Sequence, residues 1–328
     1  MNAVETRALG KRYADKRAVD HLDMHVPQGA IYGFVGRNGA GKSTVMKMAA
    51  GLVTPSEGEV RLFGLPIAPG GRDVTHDRAS KGADARRVGV LIEQPGILPN
   101  LSAVDNLTAL GLAMGLPDPR RTAAQLLEAV GLAGTGRKRA KGFSLGMKQR
   151  LGLAMALVNS PDLLLLDEPL NGLDPEGARS IRNLLVRLNE TRGVTIVISS
   201  HVLDQLERMC THYGVIADGH MVREMSAKEV ARECRSSLRV CTANTPVTLA
   251  LLQDRDLPGV RYAAEPDGAI TISGDVDPEA IARMLHADGQ LVLELSVQSN
   301  DMEDYFVRLM GGERPADPQP AQAQGGAR

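Results

Sequence analysis

The stretch Gly36-Arg37-Asn38-Gly39-Ala40-Gly41-Lys42-Ser43 satisfies G-x-x-x-x-G-K-[ST] at every fixed position. Few patterns constrain a chain as tightly. The pattern demands a strand before it, a helix after it, and a backbone that turns sharply enough for successive amides to point into one concavity. Both flanks comply. Ala30–Val35 is a short apolar run, and Val45, Met46, Met48, Ala49 and Ala50 suit a partly buried helix starting at Lys42. In such a loop the backbone from Gly36 through Arg37, Asn38, Gly39 and Ala40 to Gly41 cradles phosphate oxygens. Lys42 reaches the β- and γ-phosphates, the Ser43 hydroxyl suits Mg²⁺, and Thr44 lines the α-phosphate side.

Leu163-Leu164-Leu165-Leu166-Asp167-Glu168 supplies a second half: an apolar strand ending in two carboxylates. Asp167 suits Mg²⁺, directly or through water, and Glu168 suits a water attacking in line on a γ-phosphate. A carboxylate pair at a strand end also serves as a helix cap, so it gains its meaning from the phosphate loop upstream.

The rest of the chain alternates strands with helices. Residues 1–33 alternate apolar and polar positions around a turn at Pro27–Gly29, and Glu59–Phe63 reads as a further strand. Pro69–Arg87 reads as a polar surface loop and Val88–Ile92 as a buried strand. Helical spacing covers Ser102–Leu116, Thr122–Val130, Lys148–Val158 and Pro175–Asn189, and Val194–Ser199 is another buried strand. This pattern predicts an α/β fold with a mostly parallel sheet. After about Glu233 the style changes to short strand-like runs (Leu238–Cys241, Val260–Ala263, Ala269–Ser273, Leu291–Leu295) and two helices (Ala280–His286, Met302–Met310). The expected organisation is a nucleotide-binding domain over 1–233, a small α+β domain over 234–310, and a disordered Pro/Gln/Gly/Ala-rich tail over 311–328.

Composition narrows the function classes. Lys+Arg is 38 and Asp+Glu is 39, so the net charge of −1 gives no global field to hold nucleic acid. No run reaches the roughly 18–20 apolar residues of a membrane span. Residues 1–10 carry Glu5 and Arg7 and no apolar signal core, which predicts a cytoplasmic chain. Cys210, Cys234 and Cys241 are odd in number and lack metal-like spacing, so they read as buried free thiols.

Between the two halves lies Phe143-Ser144-Leu145-Gly146-Met147-Lys148-Gln149-Arg150. It resembles the signature of ATP-binding cassette (ABC) ATPases, commonly L-S-G-G-Q. Phe143, Leu145 and Met147 depart from that form, while Ser144 and Gly146 keep it. The resemblance implies a P-loop cassette with an antiparallel β subdomain and a helical subdomain, covering about residues 5–231. It implies that Ser144 and Gly146 contact a γ-phosphate, a task suited to a helix start. Further elements follow in the family's order. Asn171-Gly172-Leu173-Asp174 is similar to the D-loop, giving Asp174 a place at the site. His201, after Ser199-Ser200, resembles the switch histidine, and Tyr13 stands where an aromatic stacks on adenine. In Val88-Gly89-Val90-Leu91-Ile92-Glu93-Gln94-Pro95, Glu93 occupies the usual Gln position and Gln94 follows; either could reach Mg²⁺ or the attacking water.

The family implies ATP and Mg²⁺ as cofactors and a head-to-tail dimer of two copies with ATP sandwiched between them. It also implies a separate integral membrane permease, and hence a location at the inner face of the cell membrane. Leu91–Leu98, Asn106-Leu107, Phe143–Ala154 and Glu303-Asp304-Tyr305-Phe306 resemble the bacitracin-resistance and lantibiotic-immunity branch, implying ATP-driven export of a peptide antibiotic or similar amphiphile. The alternatives are a soluble non-transport ABC ATPase, which usually carries two cassettes or a long coiled coil, and a nucleotide-dependent regulatory module, which often lacks the carboxylate found at Glu168.

Overall fold

Two long strands precede the phosphate loop, β1 (Asn2–Tyr13) and β2 (Lys16–Pro27). Alternation buries Leu22, Met24 and Val26 of β2, while in β1 a register shift between Thr6 and Leu9 lets Val4 and Leu9, an odd number of residues apart, enter the same core. They join β4 (Glu57–Leu62) and β5 (Leu65–Pro66) in an antiparallel sheet of order β2-β1-β4-β5. The structure, a computed structural model, describes residues 1–67, 87–200, 202–234, 237–255, 257–274, 276–298 and 302–311. The loop expected over Pro69–Arg87 therefore lies outside the described residues except for Arg87, and the expected tail lies outside them except for Gly311. The chain divides into one unit of Met1–Ala227 together with the chain from Arg308, and a second unit of Lys228–Val307.

The first unit is built on a six-stranded sheet of order β10-β9-β3-β8-β7-β6. Its members are β3 (Ile31–Val35), β6 (Val88–Leu91), β7 (Leu163–Asp167), β8 (Thr195–Ser200), β9 (His212–Ala217) and β10 (His220–Ser226). All neighbours run parallel except β10, which is antiparallel to β9. β3, β7 and β8 are buried at every residue, which explains the apolar runs Leu163–Leu166 of β7 and Ile196–Ile198 of β8. β6 does not match its expectation as a buried strand. It is the sheet edge, and its residues alternate between half-buried and buried.

Register sets up the site. Val35 lies opposite Ser200, and Asp167 lies opposite Ser199. The carboxyl ends of β3, β7 and β8 therefore finish level with one another, the edge at which open α/β sheets bind ligands. β10 is tied to β2 by a polar chain. Tyr32 donates its hydroxyl hydrogen to Glu224 Oε1 at 2.7 Å, and the His25 amide donates to the same oxygen at 2.7 Å. Burial, then the Glu224 charge, pushes the Tyr32 phenol well above its ordinary pKa.

Helices cover the sheet. α1 (Lys42–Ala49) follows the phosphate loop. α2 (Ala103–Ala113), α3 (Pro119–Ala129) and α4 (Leu145–Leu157) pack together, and α4 also packs on β6. α4 begins three residues before its expected start because Ser144 caps it, accepting a hydrogen bond from the Met147 amide at 3.3 Å. α5 (Pro175–Arg192) and α6 (Leu203–Glu207) complete the unit. Of the cysteines, only Cys210 is buried; Cys234 and Cys241 are half-buried, and none forms a disulfide.

In the second unit, α7 (Ala227–Glu233) leads into β11 (Ser237–Thr242), α8 (Thr245–Asp254), β12 (Arg261–Ala264), β13 (Ile270–Ser273), α9 (Pro278–Ala287) and β14 (Val292–Gln298). Strand order is β12-β13-β11-β14, antiparallel throughout. This is a β-α-β-β-α-β, ferredoxin-like arrangement. Leu238, Val240, Ile270 and Ile272 on the strands share a core with Leu252 of α8 and with Ile281 and Leu285 of α9. α10 (Met302–Met310) follows, with Met302, Tyr305, Phe306 and Leu309 buried at helical spacing.

Candidate nucleotide site

The phosphate loop leaves β3 and bends where only glycine fits. Gly41 has φ +111°, and a Cβ there would lie 2.7 Å from the Ala18 carbonyl oxygen. A Cβ on Gly36 would lie 2.6 Å from the Ile216 carbonyl oxygen, so β9 and β2 hold the loop from two sides. Arg37, Asn38 and Gly39 form its exposed rim, and Ala40 is buried. No side chain caps α1, which leaves the amides of its first turn, including those of Ser43 and Thr44, to a ligand.

Lys42 is only 6% exposed. Its Nζ donates to the Gly36 carbonyl at 2.6 Å and to the Arg37 carbonyl at 3.2 Å, folding back across the loop. Burial lowers its pKa below that of an ordinary lysine, while the charges of Glu168 and Asp167 pull it back up. The loop lysine and the strand-end carboxylates, read from separate parts of the sequence, thus share one electrostatic environment.

Asp167, 7% exposed, accepts a hydrogen bond from Ser199 Oγ at 2.5 Å. Glu168 stands in the left-handed region at φ +50°. Its amide donates to Ser199 Oγ at 3.0 Å and to the Ser199 carbonyl at 3.2 Å. Its carbonyl accepts from Gln149 Nε2 at 3.2 Å and from the Asn171 amide at 3.1 Å. Sequence reading gave no role to Ser199 or Gln149. The available signals were a hydroxyl inside an apolar strand and a lone polar residue on the buried face of α4.

A cleft of about 480 Å³ is bordered by Glu93, Gln94, Lys148, Gln149, Asp167 and Glu168, among others. Gln94 therefore borders the same cleft as the carboxylate pair. Glu93, 62% exposed and at φ +60°, pairs its carboxylate with Lys47 Nζ of α1. Ser144 and Gly146 open α4 beside the 171–174 turn. A Cβ on Gly146 would lie 3.2 Å from the Gly172 carbonyl oxygen. Asp174 is the N-cap residue of α5, and its Oδ1 lies 3.5 Å from Arg150 Nη2. α4 packs mainly on β6, α2 and α3, whereas α1 packs on β2, β4 and β7, so the signature helix and the phosphate loop are supported by different elements.

Tyr13 ends β1 with its ring 45% exposed and Lys11 Nζ 5.1 Å from the ring centroid. His201 lies outside the described residues. Among the described residues no group of three or more His, Cys, Asp or Glu could hold a metal ion. A Mg²⁺ site assembled from one hydroxyl, one carboxylate and substrate phosphates needs no such group, and the hard oxygens of Ser43 and Asp167 fit that chemistry.

The family model described as "ABC transporter" matches residues 19–171. The chain is 35% identical to the bacitracin transport ATP-binding protein BcrA of Bacillus licheniformis, covering 94% of this chain and 97% of that one. It is 39% identical to the lantibiotic transport ATP-binding protein SrtF of Streptococcus pyogenes, covering 66% of this chain and 87% of that one. Among solved structures it is similar to the dimeric post-hydrolysis ATP-binding cassette MJ0796 bound to ADP and Pi, with a TM-score of 0.60, 24% identity, and coverage of 68% of this chain and 98% of that one. That likeness concerns the fold, an ABC ATPase cassette. The chain belongs to the ABC transporter family, as an ATP-binding and ATP-hydrolysing transport subunit.

Proposed function

We propose that two copies of this chain clasp two Mg·ATP molecules head to tail and drive export of a peptide antibiotic or similar amphiphile. The export reading is supported by the names of the bacitracin and lantibiotic transport relatives. The dimer reading is supported by the dimeric cassette of similar fold. No helix of the described residues is long and apolar enough to cross a membrane, which suits a subunit held at the inner membrane face by its permease.

The observation that carries the nucleotide reading is Lys42, buried and folded onto the Gly36 and Arg37 carbonyls of the glycine loop, at the same end of the sheet as Asp167 and Glu168. In this reading the backbone of residues 36–43 and the Lys42 ammonium hold the β- and γ-phosphates, Thr44 lines the α-phosphate side, and Tyr13 stacks on adenine. Ser43 and Asp167, with Gln94 or Glu93, hold Mg²⁺, which when bound neutralises charge on the phosphate oxygens. Glu168 orients a water and accepts its proton while the water oxygen bonds to the γ-phosphorus. The bond to the bridging oxygen breaks, leaving ADP and phosphate. His201 contacts the γ-phosphate, and Ser144, Gly146 and Asp174 of the second copy close the other side. We assign this chemistry to residues 1–233 and a separate small domain to 234–310.

The test is reconstitution of the chain with its permease in lipid vesicles. ATP hydrolysis should rise with added bacitracin or a lantibiotic and vanish in Glu168→Gln. Hydrolysis indifferent to every peptide antibiotic would remove the export reading while leaving the ATPase intact.

A further inference from the structure

Gln149 is the only polar residue on the buried face of α4, whose other buried positions are Leu, Ala or Gly. It is 9% exposed, and a buried amide on an apolar face is costly unless it is paired. Its Nε2 donates to the main-chain carbonyl of Glu168 at 3.2 Å. That carbonyl belongs to a non-glycine residue held at φ +50°, a conformation that surrounding contacts must enforce. Ser199 grips the amide side of Glu168, and Gln149, with the Asn171 amide, grips the carbonyl side.

Around this bond, α4 touches both the turn after Glu168 and the first turn of α5. A Cβ on Gly172, at φ +73°, would lie 2.5 Å from Leu145 Cδ2. A Cβ on Gly177 would lie 2.3 Å from Arg150 Nη2. Leu145 and Gly146 meet the turn at the helix start; further along α4, Gln149 meets the Glu168 carbonyl and Arg150 meets Asp174 and Gly177 of α5. Close-packed elements move together rather than deform.

We propose that Gln149 is a positioning residue, which fixes the Glu168 backbone and so ties the carboxylate of one ATP site to the helix that clasps the other. This rests on the head-to-tail reading, in which Ser144 and Gly146 serve the second copy's nucleotide while Glu168 serves its own. A shift of α4 on clasping one nucleotide carries Gln149 with it, and the Glu168 carbonyl follows. Hydrolysis at each site then waits for closure at the other, because Glu168 is correctly aimed only when α4 is seated.

Mixed dimers test this. Two differently tagged copies are co-purified with the permease, and Glu168→Gln silences one site. In one arrangement Gln149→Met (similar length, no donor) sits in the chain whose Glu168 is intact. In the other it sits in the silenced chain, whose α4 still clasps the working site. Loss of one hydrogen bond that aims a reacting group is expected to lower kcat by about tenfold or more. The drop should appear in the first arrangement only, with KM for ATP within about twofold. In the homodimeric Gln149→Met variant the dependence of rate on ATP should also lose its cooperativity. A second variant, Gln149→Glu, sets an acceptor against the carbonyl and should give the same pattern, so poor folding of one variant does not shield the idea. Equal loss in both arrangements, loss only in the second, or no loss would overturn it. If wild-type turnover does not depend on pairing of two copies at all, the dimer reading itself has failed, which is a distinguishable result.

Discussion

The carboxylate of Glu93 pairs with the ammonium of Lys47, which belongs to the helix that the phosphate loop opens. By the family resemblance Glu93 stands at the usual Gln position, with Gln94 next to it; in the proposed reading this places an additional negative charge near bound phosphates. Lys47 is the cation that balances it. Because Glu93 is largely exposed, the pair contributes at most about 1 kcal/mol. Lys47→Met is expected to raise KM for ATP by about two- to fivefold, since the unbalanced carboxylate repels the triphosphate. Adding Glu93→Gln to that variant should restore KM. Steady-state ATPase assays of the single and double variants check the cycle, and additive effects would dissociate the two residues.

Lys42 is expected to set an alkaline limit on nucleotide binding. Burial lowers its pKa, opposed by Glu168 and Asp167, so in the empty site it loses its proton at lower pH than an ordinary lysine. The unfolded chain binds the proton more tightly than the folded one. Stability of the unliganded protein should therefore rise as pH climbs through the folded pKa. ATP affinity moves the opposite way, because bound phosphates favour the charged form. Calorimetric titration between neutral pH and about pH 10 should show weakening affinity and proton uptake on binding. Lys42→Arg, permanently charged, should flatten that slope.

Ser199 contacts both strand-end carboxylate residues, donating to Asp167 Oδ1 and accepting from the Glu168 amide. Ser199→Ala removes both bonds inside a fully buried strand. The expected cost is about 1–3 kcal/mol, read as a lowered midpoint of urea unfolding. Freed from its donor, Asp167 should also hold its place less well, so more Mg²⁺ should be needed for half-maximal ATPase. An unchanged Mg²⁺ requirement would confine Ser199 to a packing role.

The motifs were legible because each is local. Gly36–Ser43 carries its backbone requirement in its own glycines, and β7 and β8 announce two-sided burial by the apolar stretches Leu163–Leu166 and Ile196–Ile198. The start of α4 was readable from Ser144 as a cap, yet apolar periodicity alone pointed to Lys148. β9 and β10 were missed because β10 carries Arg223 and Glu224. Glu224 is a strand residue whose charge is answered by Tyr32 and His25, far away in sequence. α8 was missed because its apolar residues run consecutively from Leu249 to Leu252 and show no helical period. Ser199 and Gln149 act on residues remote in sequence, through bonds that no spacing rule encodes.

Clasping of ATP between two copies is measured most directly with the Glu168→Gln chain, in which hydrolysis should stop while binding persists. Analytical ultracentrifugation with Mg·ATP is expected to give a dimer containing two nucleotides. The same chain carrying Ser144→Arg is expected to bind ATP yet sediment as a monomer. A Glu168→Gln chain that binds ATP fully and remains monomeric at every concentration would contradict the account.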